Sequence, residues 1–194
     1  MLLFSVSISL VSTIIYLVWF LSEVLLHRIL RGGDTTDKKK QDRGSLALIW
    51  VIIIICVNIA VYLSFKTYDP IMHSAEISYI GLSVILLGMI LRYIAIASLG
   101  RLFTVVVTIR KDHQLKKDGL YSVLRHPAYT GSLLSFLGFG LSLNNWISLG
   151  VAFVPVFITF IYRMNVEEKM LTEKFGDEYK DYIKHTSRIV PWVY

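Results

Sequence analysis

Apolar residues fall in long uninterrupted runs along this chain, in place of the alternation of a half-buried strand or the stripe of a soluble amphipathic helix. Residues 1–22, 46–65 and 77–91 carry no charged side chain. Two more uncharged runs, 128–143 and 146–162, are separated only by Asn144 and Asn145. About 20 apolar residues cross a bilayer core as a helix. The first two runs reach that length, and the third does so by taking in Arg92. The last two are shorter and predict a tight helical hairpin with the Asn pair at its tip. The pattern therefore predicts an all-α integral membrane protein with five transmembrane helices. The first run has no basic residues ahead of it and no small-residue cleavage site, so it reads as a span and not as a removable signal peptide.

Polar positions set the orientation. The 28–44 loop, the 100–127 segment and the tail after residue 162 are rich in Lys and Arg, whereas the 66–76 loop has Lys66 alone and the Asn hairpin has none. With five spans the three basic segments share one side, which the positive-inside rule makes cytoplasmic. The N-terminus is then outside and the C-terminus inside. The net charge of +6 follows from this topology. It gives no reason to expect nucleic acid, because no soluble basic stripe with interleaved aromatics is present. The single cysteine, Cys56, lies mid-span as a packed residue. His27, His73 and His185 have no partners at metal-ligand spacing, so no metal site is expected.

Chemistry-bearing residues crowd into the second half. The chain divides into three spans with a basic loop over residues 1–99 and a second half, residues 100–194, that holds the candidate chemistry. "LFTVVVTI" reads as extended and "KDG" as a turn. Gly176 reads as a helix stop, followed by a short helix over residues 177–184 that brings Tyr179 and either Tyr182 or Ile183 back against the membrane face. In "LRHPAYTG", Pro127 is suited to start the fourth helix, with Arg125 snorkelling and Tyr129 in the aromatic belt. In "RMNVEEKM", Arg163 and Glu167 are four apart on one helical face where the fifth helix leaves the membrane. That spacing fits a surface ion pair as well as a pair of ligand-facing charges, although charges at membrane depth usually mark a site. Glu168 points to a different face and is expected in solvent. Arg92 is expected to snorkel or to pair with Glu23, and Asp69 and Glu76 to be solvated in a short outer loop.

"HQLKKDGLYSVLRHPAYTG" followed by "RMNVEEKMLTEKFGDEYKDYIKHTSRIVPW" resembles the isoprenylcysteine carboxyl methyltransferases and, more loosely, the wider group that includes phospholipid N-methyltransferases. The ordered pattern covers residues 113 to 191, and nothing in residues 1–99 matches at motif level. Enzymes of that family transfer the methyl group of S-adenosylmethionine to a carboxylate, releasing S-adenosylhomocysteine. The resemblance implies a cytoplasmic cofactor pocket formed by the 100–128 segment and the C-terminal helices. His113, Gln114, Leu115 and Lys116 occupy the family's cofactor segment, Gln114 and Lys116 by place rather than type. Tyr121 and the run His126, Pro127, Ala128 and Tyr129 continue the cofactor wall. Glu167 completes it from the tail, and Arg163 faces the substrate carboxylate.

The implied acceptor is a lipophilic carboxylate, either a prenylcysteine-like peptide or a lipid, reached from the surrounding membrane lipid. Three other readings stay open. A phospholipid amine methyltransferase shares the cofactor half but needs no carboxylate clamp. A membrane sterol reductase-like enzyme has a similar C-terminal region but binds a nicotinamide cofactor. A non-catalytic scaffold needs neither Arg163 nor Glu167.

Overall fold

The computed structural model describes residues 2–30, 43–100 and 115–191. Among them every extended element is helical: α1 (Leu2–Leu30), α2 (Arg43–Lys66), α3 (Glu76–Leu99), α4 (Pro127–Ser142), α5 (Trp146–Phe175) and α6 (Asp177–His185). The predicted extended segment "LFTVVVTI" lies outside the described residues. Three helices are long and apolar enough to cross a membrane: α2 over Ala47–Lys66, α3, and α5. Among the described residues α1 adds a shorter apolar stretch, Leu10–Leu26, and α4 has 16 residues, about 24 Å of helix. Large apolar side chains such as Ile54, Leu87 and Ile158 cover the outer faces, each half-exposed or more. Such a surface suits lipid, and the chain is a membrane protein.

The predicted hairpin is present. Asn144 turns the chain with φ 48°, a conformation in which Asn is among the tolerated residues. Asn145 caps α5 by accepting from the Ser148 amide at 2.9 Å. The same pair fastens the α2–α3 loop. Asn144 donates to the Met72 carbonyl at 2.8 Å and accepts from its amide at 2.9 Å, and Asn145 donates to Thr67. The hairpin tip therefore locks one end of the bundle and leaves the other end to carry the site.

α3 and α4 lie closest together, and glycine is the reason. A Cβ on Gly88 meets the Gly131 carbonyl oxygen at 2.6 Å, and one on Gly138 meets the Gly81 carbonyl at 2.6 Å. Small residues at such positions let helix backbones approach in a membrane, where close packing supplies much of the association energy. Gly88→Ala is expected to cost about 1–3 kcal/mol by overpacking, read as a lower melting temperature in detergent. Around this pair, Trp19 of α1 meets Phe136 edge-on at 4.9 Å, and Ile85, Val156 and Phe160 complete the buried core.

The third span takes in Arg92 as expected, and the helix continues to Leu99. Arg92 stays inside because its charge is satisfied. Its Nε lies 2.8 Å from Glu23 of α1, the pairing expected from sequence. Its Nη1 donates both to the Ala128 carbonyl at 3.1 Å and to the Ser132 hydroxyl. One cation thus ties α1 and α3 to the start of α4.

Candidate active site

At the opposite end from the Asn hairpin, α4 begins at an abrupt corner. Gly119, with φ 61°, opens a 3-10 turn over Gly119–Ser122, the turn expected at "KDG". His126 stands outside helical geometry at φ −127° and ψ 55°, as a residue before proline is pushed to do. Pro127 then takes the first helical position, where its missing N–H costs nothing. The tail holds this corner from outside. Ser187 N–H donates to the Val123 carbonyl at 2.9 Å, and Arg125 and His126 amides donate to Ser187 and Arg188 carbonyls at 2.8 and 3.2 Å. Thr130 adds a bond to the Ile189 carbonyl at 3.0 Å. These bonds account for donors that the start of a helix otherwise leaves without partners.

Inside the corner, Tyr129 links the two residues singled out on α5. Its hydroxyl donates to the Glu167 carboxylate at 2.9 Å and accepts from Arg163 Nε at 3.4 Å. The Tyr129 ring lies 5.5 Å from the His126 ring and 5.3 Å from Phe160. Arg163 is 2% exposed, so it is no surface charge. Tyr121 is buried beside this group, and burial together with the Glu167 charge pushes its phenol well above the ordinary tyrosine range. A carboxylate framed by aromatic faces suits a cationic ligand group, which aromatic rings attract through their quadrupoles.

The expectation that Glu168 lies in solvent is overturned. Its carboxylate lies 2.9 Å from Arg125 Nε and 3.1 Å from His126 Nε2, while its other oxygen meets Arg188 at 2.8 Å. α6 and the returning tail cover the face that a bare helical wheel assigns to water. Arg125 does not snorkel either, since it also donates to the carbonyls of Ile183 and Thr186. Arg188 further reaches Asn165 at 2.5 Å. The two neighbouring glutamates therefore divide their work. Glu167 faces inward with Tyr129 and Arg163, and Glu168 fastens the tail to the corner. Removing Glu168 strands two half-buried guanidinium groups, so Glu168→Ala is expected to destabilise the protein by roughly 3 kcal/mol. Faster proteolysis of the tail together with a lower melting temperature is the check.

Of the other residues expected at the site, His113 and Gln114 lie outside the described residues. Leu115 is half-buried, and Lys116 pairs with the exposed Asp118 at 2.9 Å, away from the Glu167 group. Pro127 and Ala128 are buried in the first turn of α4. Tyr121, His126, Tyr129, Arg163 and Glu167 are brought together.

Comparison with known proteins bears on this arrangement. The phospholipid methyltransferase family profile matches residues 77–178, from the start of α3 through the whole Arg163–Glu168 segment into α6. The chain belongs to that family. Among its relatives, protein-S-isoprenylcysteine O-methyltransferase B of Arabidopsis thaliana is 40% identical over 119 residues, covering 60% of each chain. Protein-S-isoprenylcysteine O-methyltransferase of Schizosaccharomyces pombe is 33% identical over 115 residues, 58% of this chain and 49% of the relative. A solved structure of the eukaryotic intramembrane Ras methyltransferase, isoprenylcysteine carboxyl methyltransferase, superposes with a TM-score of 0.65 at 25% identity, over 92% of this chain and 64% of that one. The chain spans about three fifths of the length of the curated relatives it matches. The resemblance drawn from residues 113–191 is thereby borne out.

Within the phospholipid methyltransferase fold as this chain builds it, sequence reasoning missed Glu168 and Arg188 as structural partners. The signal lay in the tail pattern R-x2-P, which ends in Arg188 and Pro191. It marks the strand-like return beside residues 123–126.

Proposed function

We propose that the chain is a five-span membrane methyltransferase that moves a methyl group from S-adenosylmethionine to the carboxylate of a lipophilic acceptor, with a C-terminal prenylated cysteine as the type of substrate. The observation that carries the reading is a nearly fully buried Arg163 linked through the Tyr129 hydroxyl to Glu167, at the head of an apolar span. The family membership and the names of the relatives support it. Residues 100–194 form the catalytic half, and the basic segments set this end of the bundle on the cytoplasmic side.

The residues present fit the donor. S-adenosylmethionine, when bound, supplies an electrophilic methyl on a cationic sulfonium. Tyr121 and Tyr129 offer aromatic faces to that cation, and the Glu167 carboxylate offers an acceptor for an ammonium or a ribose hydroxyl. His126, Pro127 and Ala128 complete the wall, and the family resemblance assigns His113, Gln114, Leu115 and Lys116 of the preceding segment to the same cofactor.

Arg163 holds the acceptor carboxylate by charge-assisted hydrogen bonds. A carboxylate is ionised at pH 7, so no general base is required, and the protein's contribution is alignment of the reacting groups. This agrees with the site's make-up, an arginine and a carboxylate with no Ser-His-Asp arrangement among the described residues. Helix faces lined with apolar side chains let the acceptor's hydrocarbon stay in lipid while its carboxylate reaches Arg163.

Titrating the purified protein with S-adenosylhomocysteine and with NADPH tests the donor assignment. Saturable binding of S-adenosylhomocysteine supports it. Binding of NADPH alone identifies a reductase and overturns it.

A further inference from the structure

Tyr179, on the first turn of α6, is 1% exposed. Its hydroxyl is buried without a hydrogen-bond partner among the described residues. A buried polar group left without a partner is destabilising, and a phenylalanine at the same place would avoid that cost. The hydroxyl stands within electrostatic reach of Glu168, Glu167 and Arg125. No neighbouring group accepts a hydrogen bond from it among the described residues. Glu167 Oε2 receives the Tyr129 hydroxyl, and Glu168 is held by Arg125, Arg188 and the His126 ring.

The placement of Tyr179 is firm. Its ring lies 5.9 Å from that of Tyr182, whose hydroxyl donates to the Tyr121 carbonyl at 2.5 Å. α6 is thereby fixed to the turn that carries Tyr121, and Tyr179 projects from the anchored face of α6. The two phenols differ in role. The Tyr182 hydroxyl has a backbone partner, and burial pushes its titration up to about 12. Burial and the two glutamates push the Tyr179 phenol up as well, so at neutral pH its hydroxyl keeps its proton.

We infer that Tyr179 is a ligand-contacting residue of the methyl-donor site, its hydroxyl donating a hydrogen bond to an acceptor atom of the bound adenosyl amino acid. The inference rests on the donor reading proposed above. It makes α6 part of the pocket and not only a cover over it, and it gives the unpartnered hydroxyl its partner.

Tyr179→Phe separates this role from a structural one. The substitution removes only the hydroxyl, so the ligand-free variant is expected to melt at or above the temperature of the parent protein. Its dissociation constant for S-adenosylhomocysteine is expected to rise about fivefold or more. Unchanged affinity would overturn the inference, as it would if the hydroxyl were bonded only to a buried water. A marked loss of stability in the ligand-free variant would overturn it too, by giving the hydroxyl a structural partner. If the parent protein binds no S-adenosylhomocysteine, the donor reading itself fails. Weakened binding in Tyr179→Phe alone, beside a parent that binds, is the supporting result.

Discussion

Replacing Arg163 with alanine is expected to lower methyl transfer roughly 100-fold or more while S-adenosylhomocysteine affinity stays within about threefold. The first figure follows from alignment, since misplacing a reacting group by about 1 Å can cost a factor of about 100. The second follows from the division of labour at the site. Arg163 meets Tyr129 at 3.4 Å, whereas the Glu167 bond to Tyr129 at 2.9 Å does not require the guanidinium. Because Arg163 is buried, Arg163→Lys is the companion variant: it keeps charge and bulk but loses the planar fork that matches a carboxylate. Equal activity in Arg163→Lys and the parent would mean that charge alone is needed. Parent-like rates in Arg163→Ala would make the residue a packing element.

Glu167→Gln has the next largest expected effect, and on a different quantity. A hydrogen bond to a charged group contributes about 1.5–3 kcal/mol, so binding of S-adenosylhomocysteine should weaken at least about tenfold. The amide keeps an oxygen for the Tyr129 hydroxyl, so the fold should survive. Calorimetric titration of parent and variant reads the change. Parent-like affinity in the variant would remove Glu167 from the donor site.

Much of this organisation is legible in the residues. Long uncharged runs, an Asn pair between two of them, Pro127 after His126 and Gly176 after Phe175 each act locally, so α4, α5, their hairpin and α6 follow from neighbours in sequence. That Arg163 and Glu167 share one helical face follows from the helical repeat. Glu168 was misplaced in solvent because its environment comes from Arg125 and Arg188, 43 and 20 residues away. Helical periodicity says which way a side chain points and nothing about what returns to cover it. The glycines at 81, 88, 131 and 138 were passed over for the same reason, since only the α3–α4 approach reveals their use. Arg92 was legible as a charge needing Glu23, but its bonds to Ala128 and Ser132 depend on α4 lying alongside.

The central claim is that a carboxylate on a lipophilic molecule receives the methyl group. Purified protein in lipid nanodiscs, given methyl-labelled S-adenosylmethionine, can be offered a short prenylcysteine, a free fatty acid and phosphatidylethanolamine side by side. The account predicts label in the prenylcysteine as a base-labile methyl ester, lost in Arg163→Ala. Label confined to phosphatidylethanolamine as a base-stable N-methyl group, undiminished in Arg163→Ala, would contradict it.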